Sequence, residues 1–300
     1  MLLVKELSKK IDHKQILDNI TLNIPKGSIY GIICENGAGK TTLIRHLVGA
    51  YQGDTGFVEL EGMRIYENPE AKAKLVYIPD EFFDTFGHNI RDIKELYQGI
   101  YPSFNEARYL RLMKMFKHDS LENFSKFSKG MKKQVMFILA LAIMPEYLIM
   151  DEPFDGLDPH IRKVIWDILI QDVSERNMTI FISSHHLNEL DSMCDHIALI
   201  NNGKIVFEEA LDHLKEGYHK LQIVLECGDD MYALEKELKV LSHQMMGRVH
   251  TLIVAGEIEA INRTVEKYCP LINETLSLSL EEIFLFTLGG EYDELKEVMG

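Results

Sequence analysis

The 300-residue chain is poor in cysteine, holds a single tryptophan, carries no surplus of positive charge and contains no long apolar run. Each shortage excludes something. Cys34, Cys194, Cys227 and Cys269 lie far apart, with no C-x-x-C pair, so the spacing offers neither a disulfide framework nor a metal site and suggests reduced intracellular thiols. The most apolar stretch, Val135–Met144, is ten residues long, short of the ~20 that cross a bilayer, and reads as a buried helix. Lys5 and the absence of an apolar h-region argue against a secretory signal. A formal net charge of -15, from 32 basic and 47 acidic side chains, argues against a generally basic surface for nucleic acid. An anionic ligand at a locally positive site is still allowed. Internal repeats and low-complexity tracts are missing as well.

What is present is ordinary globular material, 46% hydrophobic and 26% charged, long enough for one large domain or two unequal ones. Leu2–Leu7 and Ile16–Ile24 alternate apolar and polar positions, Pro25-Lys-Gly27 interrupts, and Ser28–Ile33 resumes; short strands fit this pattern. Further strands are expected at 56–66, 75–79, 147–150, 178–182 and 196–208, the last a pair turned by Asn201-Asn-Gly203. Helices are expected over 88–118, broken at Tyr101-Pro-Ser103, and near 130–143, 160–175 and 186–192. Alternating strands and helices imply an α/β domain on a mainly parallel sheet. From about residue 217 the order becomes strand Tyr218–Glu226, helix Met231–Val240, strand Val249–Ala255, helix Glu257–Tyr268 and apolar helix Leu280–Leu288, a small α+β domain. The last ninety residues hold eight basic and seventeen acidic side chains, so most of the net charge lies there.

Chemistry concentrates in Asn36-Gly-Ala-Gly-Lys-Thr-Thr42, placed between a strand and a helix. Backbone N–H groups converge on a phosphate only where glycines let the chain curl, and a helix N-terminus adds partial positive charge. Gly37 and Gly39 supply that freedom beside Asn36 and Ala38. Lys40 supplies a charge for the β- and γ-phosphates, Thr41 a hydroxyl for Mg2+, and Thr42 an α-phosphate contact. The pattern calls for glycine where Cys34 stands, and a side chain there crowds the loop. Next comes Leu148-Ile-Met-Asp-Glu-Pro153, an apolar strand ending in two carboxylates. Asp151 would hold Mg2+ through its water shell, and Glu152 would orient and deprotonate an attacking water.

With these motifs the chain resembles the ATP-binding subunits of ABC transporters over about residues 1–210. Phe127-Ser-Lys-Gly-Met131 is similar to a divergent signature motif keeping Ser128 and Gly130; Asp155-Gly-Leu-Asp158 resembles the D-loop; His185 matches the switch histidine that contacts the γ-phosphate. Ser128 also reads as an ordinary N-cap. The resemblance implies a P-loop NTPase core at 1–212, with an antiparallel β subdomain and a helical subdomain at about 82–143, and an accessory domain at 217–300. It implies catalytic roles for Glu152, His185 and Lys40, and a homodimer or heterodimer of ATPase subunits in which each ATP meets Ser128 and Gly130 of the other copy. A separately encoded transmembrane permease, a place on the inner face of the cell membrane through that permease, no direct membrane insertion and no nucleic acid partner are also implied. The Tyr101-Pro-Ser-Phe stretch together with the Ser-Lys-Gly-Met signature resembles the branch that exports drugs, lantibiotics or peptides.

Three departures stand out. Asp80 occupies the place of the family's glutamine after Leu75–Pro79, where a carboxylate is a further candidate for Mg2+ but adds negative charge. The adenine-stacking aromatic aligns with Ile11, with His13 a poor substitute. Lys129, Met131 and Lys132 alter the signature. Two other readings remain at this point: an ABC-type ATPase acting on ribosome or DNA, and a regulatory ATP-binding module of low turnover.

Overall fold

The computed structural model describes residues 1–34, 38–81, 89–226 and 229–287. In chain order its elements begin with β1 (Leu2–Ile11), β2 (Lys14–Ile24), β3 (Ile29–Cys34), α1 (Lys40–Leu47), β4 (Thr55–Leu60), β5 (Met63–Arg64), α2 (Pro69–Ala73) and β6 (Leu75–Ile78). There follow α3 (Ile90–Ile100), α4 (Glu106–Phe116), α5 (Lys129–Ala142), β7 (Tyr147–Asp151), α6 (Pro159–Arg176), β8 (Thr179–Ser184), α7 (Leu187–Asp191), β9 (His196–Asn201) and β10 (Lys204–Ala210). The remainder is α8 (Leu211–Glu216), β11 (Tyr218–Val224), α9 (Asp229–Glu237), β12 (Lys239–Met246), β13 (Val249–Ala255), α10 (Ile258–Glu266), β14 (Ile272–Leu276) and α11 (Leu280–Thr287).

Two compact units result, Met1–His185 with His196–Glu208, and His186–Asp195 with Glu209–Gly300. In the first, a sheet of order β2-β1-β4-β5 pairs β1 antiparallel with both β2 and β4. A second sheet of order β10-β9-β3-β8-β7-β6 pairs β3 with β8 and β9, and β7 with β6 and β8, all parallel. Every residue of β7 and β8 is buried, which explains their unbroken apolar runs: a central parallel strand is covered on both faces. β2 instead alternates buried and exposed positions toward its end, as a half-covered antiparallel strand must. Lys40 follows β3, Asp151 ends β7 and His185 follows β8, so these residues gather at the carboxyl ends of neighbouring strands, where α/β sheets form their ligand crevices. The α/β core expected from the sequence is the core observed.

The expected helix break at Tyr101-Pro-Ser103 separates α3 from α4, and Asn105 caps α4 by accepting from the Arg108 N–H at 2.9 Å. The first residues of the expected helical subdomain, 82–88, lie outside the described residues. α5 starts at its cap Ser128, which accepts from the Met131 N–H at 3.3 Å. Every residue from Val135 to Ala142 on it is buried, as its apolar run required.

The second unit corrects the sequence reading. Its sheet has the order β12-β13-β11-β14 with antiparallel pairs throughout. Two strands went unseen. The helix expected over Met231–Val240 stops at Glu237, because Lys239 and Val240 pair with Ala255 and Val254 in the sheet. β12 and β14 hide because most of their residues are exposed or half-buried, leaving no apolar alternation. The β-α-β-β-α-β order with this strand arrangement is ferredoxin-like. Its core joins Leu221, Ile223, Leu252 and Val254 of the sheet to Leu234 of α9 and Ile261 and Val265 of α10. α11 follows the expected course up to Thr287, and Leu288 is outside the described residues.

Candidate active site

The strand order explains which side chains meet. Asp151 ends β7 and lies in register with Ser183 of β8, so the Ser183 hydroxyl donates to Asp151 Oδ1 at 2.6 Å. Lys40, the first residue of α1, donates to Glu152 Oε1 and stands 3.9 Å from Asp151 Oδ1. His185, just past β8, brings Nδ1 to 3.0 Å from Glu152 Oε1. Four of the expected site residues therefore form one cluster, in which Asp151 and Glu152 are buried.

Gly39 sits at φ 103°, and a Cβ on it would lie 2.8 Å from the Ile16 carbonyl oxygen. Only glycine allows both the left-handed backbone and that approach. α1 starts on this glycine with no side-chain cap, which leaves the helix N-terminus suited to an anion. Asn36 and Gly37 lie outside the described residues, as does the side chain of Cys34, the last residue of β3; Ala38 is buried. Thr41 is exposed and Thr42 buried, and both line a cavity of about 580 Å3 together with Lys40, Asp80, Asp151 and Glu152.

That cavity tests the fit of nucleotide and metal. Its basic groups are Lys40 and Arg45 against four carboxylates, those of Asp80, Glu81, Asp151 and Glu152. A polyanion alone suits such a wall poorly. A hard divalent cation suits it well, since carboxylate and hydroxyl oxygens are its preferred donors. Burial pushes the Asp151 carboxyl above its ordinary value, and nearby Glu152 and Asp80 add to this, while the Ser183 hydrogen bond and Lys40 oppose it. A bound cation reverses such a shift. Loss of the Ser183 hydroxyl is expected to raise the Mg2+ needed for half-maximal turnover by about 10- to 100-fold, the usual cost of removing a partner behind a metal ligand. A magnesium titration of Ser183→Ala checks this, and an unchanged midpoint refutes it.

Two of the sequence departures resolve each other. Asp80 Oδ1 is 3.2 Å from both Lys129 Nζ and Lys133 Nζ. Burial alone would raise the Asp80 carboxyl, but hydrogen bonds from the two lysines outweigh it and hold the group below its ordinary value. The expected surplus of negative charge at Asp80 is thus neutralised within the chain, in part by the lysine that replaces a signature glycine.

Ile11 is 37% exposed and is not among the cavity's lining residues; Ile16 is. His13 is exposed as well. Ser128 and Gly130 do not line the cavity of their own chain. Gly130 instead packs so closely on Gly156 that a Cβ would lie 2.5 Å from the Gly156 carbonyl oxygen.

Sequence reasoning missed Ser183 and Lys133. For Ser183 the signal was faint, a serine at the end of an apolar strand. For Lys133 it was clear in hindsight, because the residue lies one turn before Met136 and Phe137 on the buried face of α5.

The family profile described as "ABC transporter" matches residues 17–155. The chain is 29% identical to the ABC transporter ATP-binding protein YtrB of Bacillus subtilis (strain 168), over 97% of this chain and 99% of that protein. It is 30% identical to the bacitracin transport ATP-binding protein BcrA of Bacillus licheniformis, over 95% of this chain and 96% of that protein. A solved structure titled "Structure of ATP binding subunit of ABC transporter" superposes with a TM-score of 0.66 at 28% identity, covering 72% of this chain and 92% of the other.

Proposed function

The chain belongs to the ATP-binding subunits of ABC transporters and is an ATPase, and from that premise we propose how its own residues carry the reaction and what the subunit serves. The carrying observation is the cluster of Lys40, Asp151, Glu152 and His185 at the ends of neighbouring parallel strands. Asn36–Thr42 bind the phosphates, with Lys40 serving the β- and γ-phosphates and Thr42 the α-phosphate. Thr41 and Asp151 would hold Mg2+, with Asp80 a further candidate. When bound, the ion would supply charge neutralisation for the phosphates. Glu152 orients a water and takes its proton as the oxygen attacks the γ-phosphorus and the bond to ADP breaks. His185, hydrogen-bonding distance from Glu152, contacts the γ-phosphate and fixes the carboxylate. Ile16 offers the base an apolar wall in place of an aromatic ring.

A pair of subunits, identical or not, completes each site, with Ser128 and Gly130 of one chain facing the γ-phosphate held by the other. No helix among the described residues is long and apolar enough to cross a membrane. In our reading a separately encoded permease supplies the pathway and the subunit works against it on the cytoplasmic face of the membrane, a reading supported by likeness over nearly full length to transport ATP-binding proteins. Export is the favoured direction, from the resemblance of Tyr101-Pro-Ser-Phe and the Ser-Lys-Gly-Met signature to the drug, lantibiotic and peptide branch; a bacitracin transport ATP-binding protein is similar over nearly full length. The ATPase core takes residues 1–212, and residues 217–300 form an accessory domain. The purified chain is expected to hydrolyse ATP with Mg2+ and to stop when EDTA removes the ion. Turnover that persists in EDTA would sink the metal assignment.

A further inference from the structure

Glu152 has φ 42°, a left-handed conformation that costs a residue bearing a side chain, and the following Pro153 narrows its choices further. Strain of this kind persists only where the surroundings hold both sides of the residue. On one side the Glu152 N–H donates to the Ser183 carbonyl at 3.1 Å and to the Ser183 hydroxyl at 3.2 Å. On the other, the Glu152 carbonyl accepts from Lys133 Nζ. Lys133 is 3% exposed, and its ammonium also donates to Asp80 Oδ1 at 3.2 Å. A compact ammonium with three donors suits a point where a carbonyl and a carboxylate converge.

We propose that Lys133 is a positioning residue that pins the Glu152 carbonyl, keeps Glu152 in its left-handed conformation and so aims its carboxylate at the cavity, with Asp80 anchoring the ammonium. Without the Lys133 donor the Glu152–Pro153 peptide is free to rotate, and the carboxylate swings away from Lys40 and His185. The proposal rests on Glu152 being the group that activates water.

The test measures kcat and KM for ATP in Lys133→Met, Asp80→Asn and the double variant, each below its own unfolding temperature. Lys133→Met should lose about 100-fold in kcat, the scale of a misplaced catalytic group, while KM changes by less than about threefold. Asp80→Asn should lose about tenfold, and the double variant should be no worse than Lys133→Met, because both act on one carbonyl. A folded Lys133→Met with wild-type kcat, or losses that multiply in the double variant, would overturn the proposal. If Lys133→Met does not fold, Lys133→Gln keeps an N–H donor without the charge; it should retain at least about a tenth of wild-type kcat, and a Gln variant inactive though folded would also overturn it. The parent reading fails separately, if Glu152→Gln hydrolyses ATP at the wild-type rate.

Discussion

Lys40→Ala is expected to weaken ATP binding by roughly a thousandfold, about 4 kcal/mol. One part of the loss is the charged hydrogen bond to the phosphates, worth about 1.5–3 kcal/mol. The other part is local. Lys40 is the cation that touches Glu152 and lies 3.9 Å from Asp151, so its removal leaves two buried carboxylates without their counter-ion beside an incoming polyanion. Fluorescence or calorimetric titration with ATP measures the effect. Undiminished affinity would remove the phosphate-loop assignment.

Glu152→Gln is expected to lower turnover by about 100- to 10,000-fold, the range for losing a general base, while leaving ATP bound. The amide keeps the size and one acceptor oxygen of the carboxylate but cannot take the proton. It also deletes one negative charge from a wall that holds four, so ATP affinity should hold or rise. An ATP-bound dimer should accumulate, visible by size-exclusion chromatography with and without nucleotide. Turnover at the wild-type rate would show that another group is the base.

Legibility in the sequence followed burial. β7 and β8 declare themselves because both faces are covered and their middles, Leu148–Met150 and Ile180–Ile182, are wholly apolar; Asp151 at the end of β7 and Glu152 after it then stand out by contrast. α1 is readable through its glycine and its Lys-Thr-Thr start. β12 and β14 are not, because an exposed antiparallel strand leaves little apolar alternation to detect. Pairs across the chain were equally hidden. Asp80 and Lys129 each looked like an isolated departure, and no local pattern says that a residue after β6 meets one at the start of α5. Lys133 needed the helix face to be known before its burial became a signal. Ile16 was missed for the opposite reason: alignment to a family position pointed at Ile11, five residues away on the other side of a tight hairpin.

The contact between Gly130 and Gly156 also fixes one point of the Phe127–Met131 segment. Position 130, in the first turn of α5, touches the main chain of Gly156, so its identity is dictated by space, and any side chain would force the two segments apart. Position 129 is exposed and its lysine reaches Asp80, and position 131 supplies an N–H to the Ser128 hydroxyl through its main chain. The motif thus behaves as a wedge with one fixed point. Space demands glycine at that point, while its neighbours are a lysine paired with Asp80 on one side and a methionine on the other.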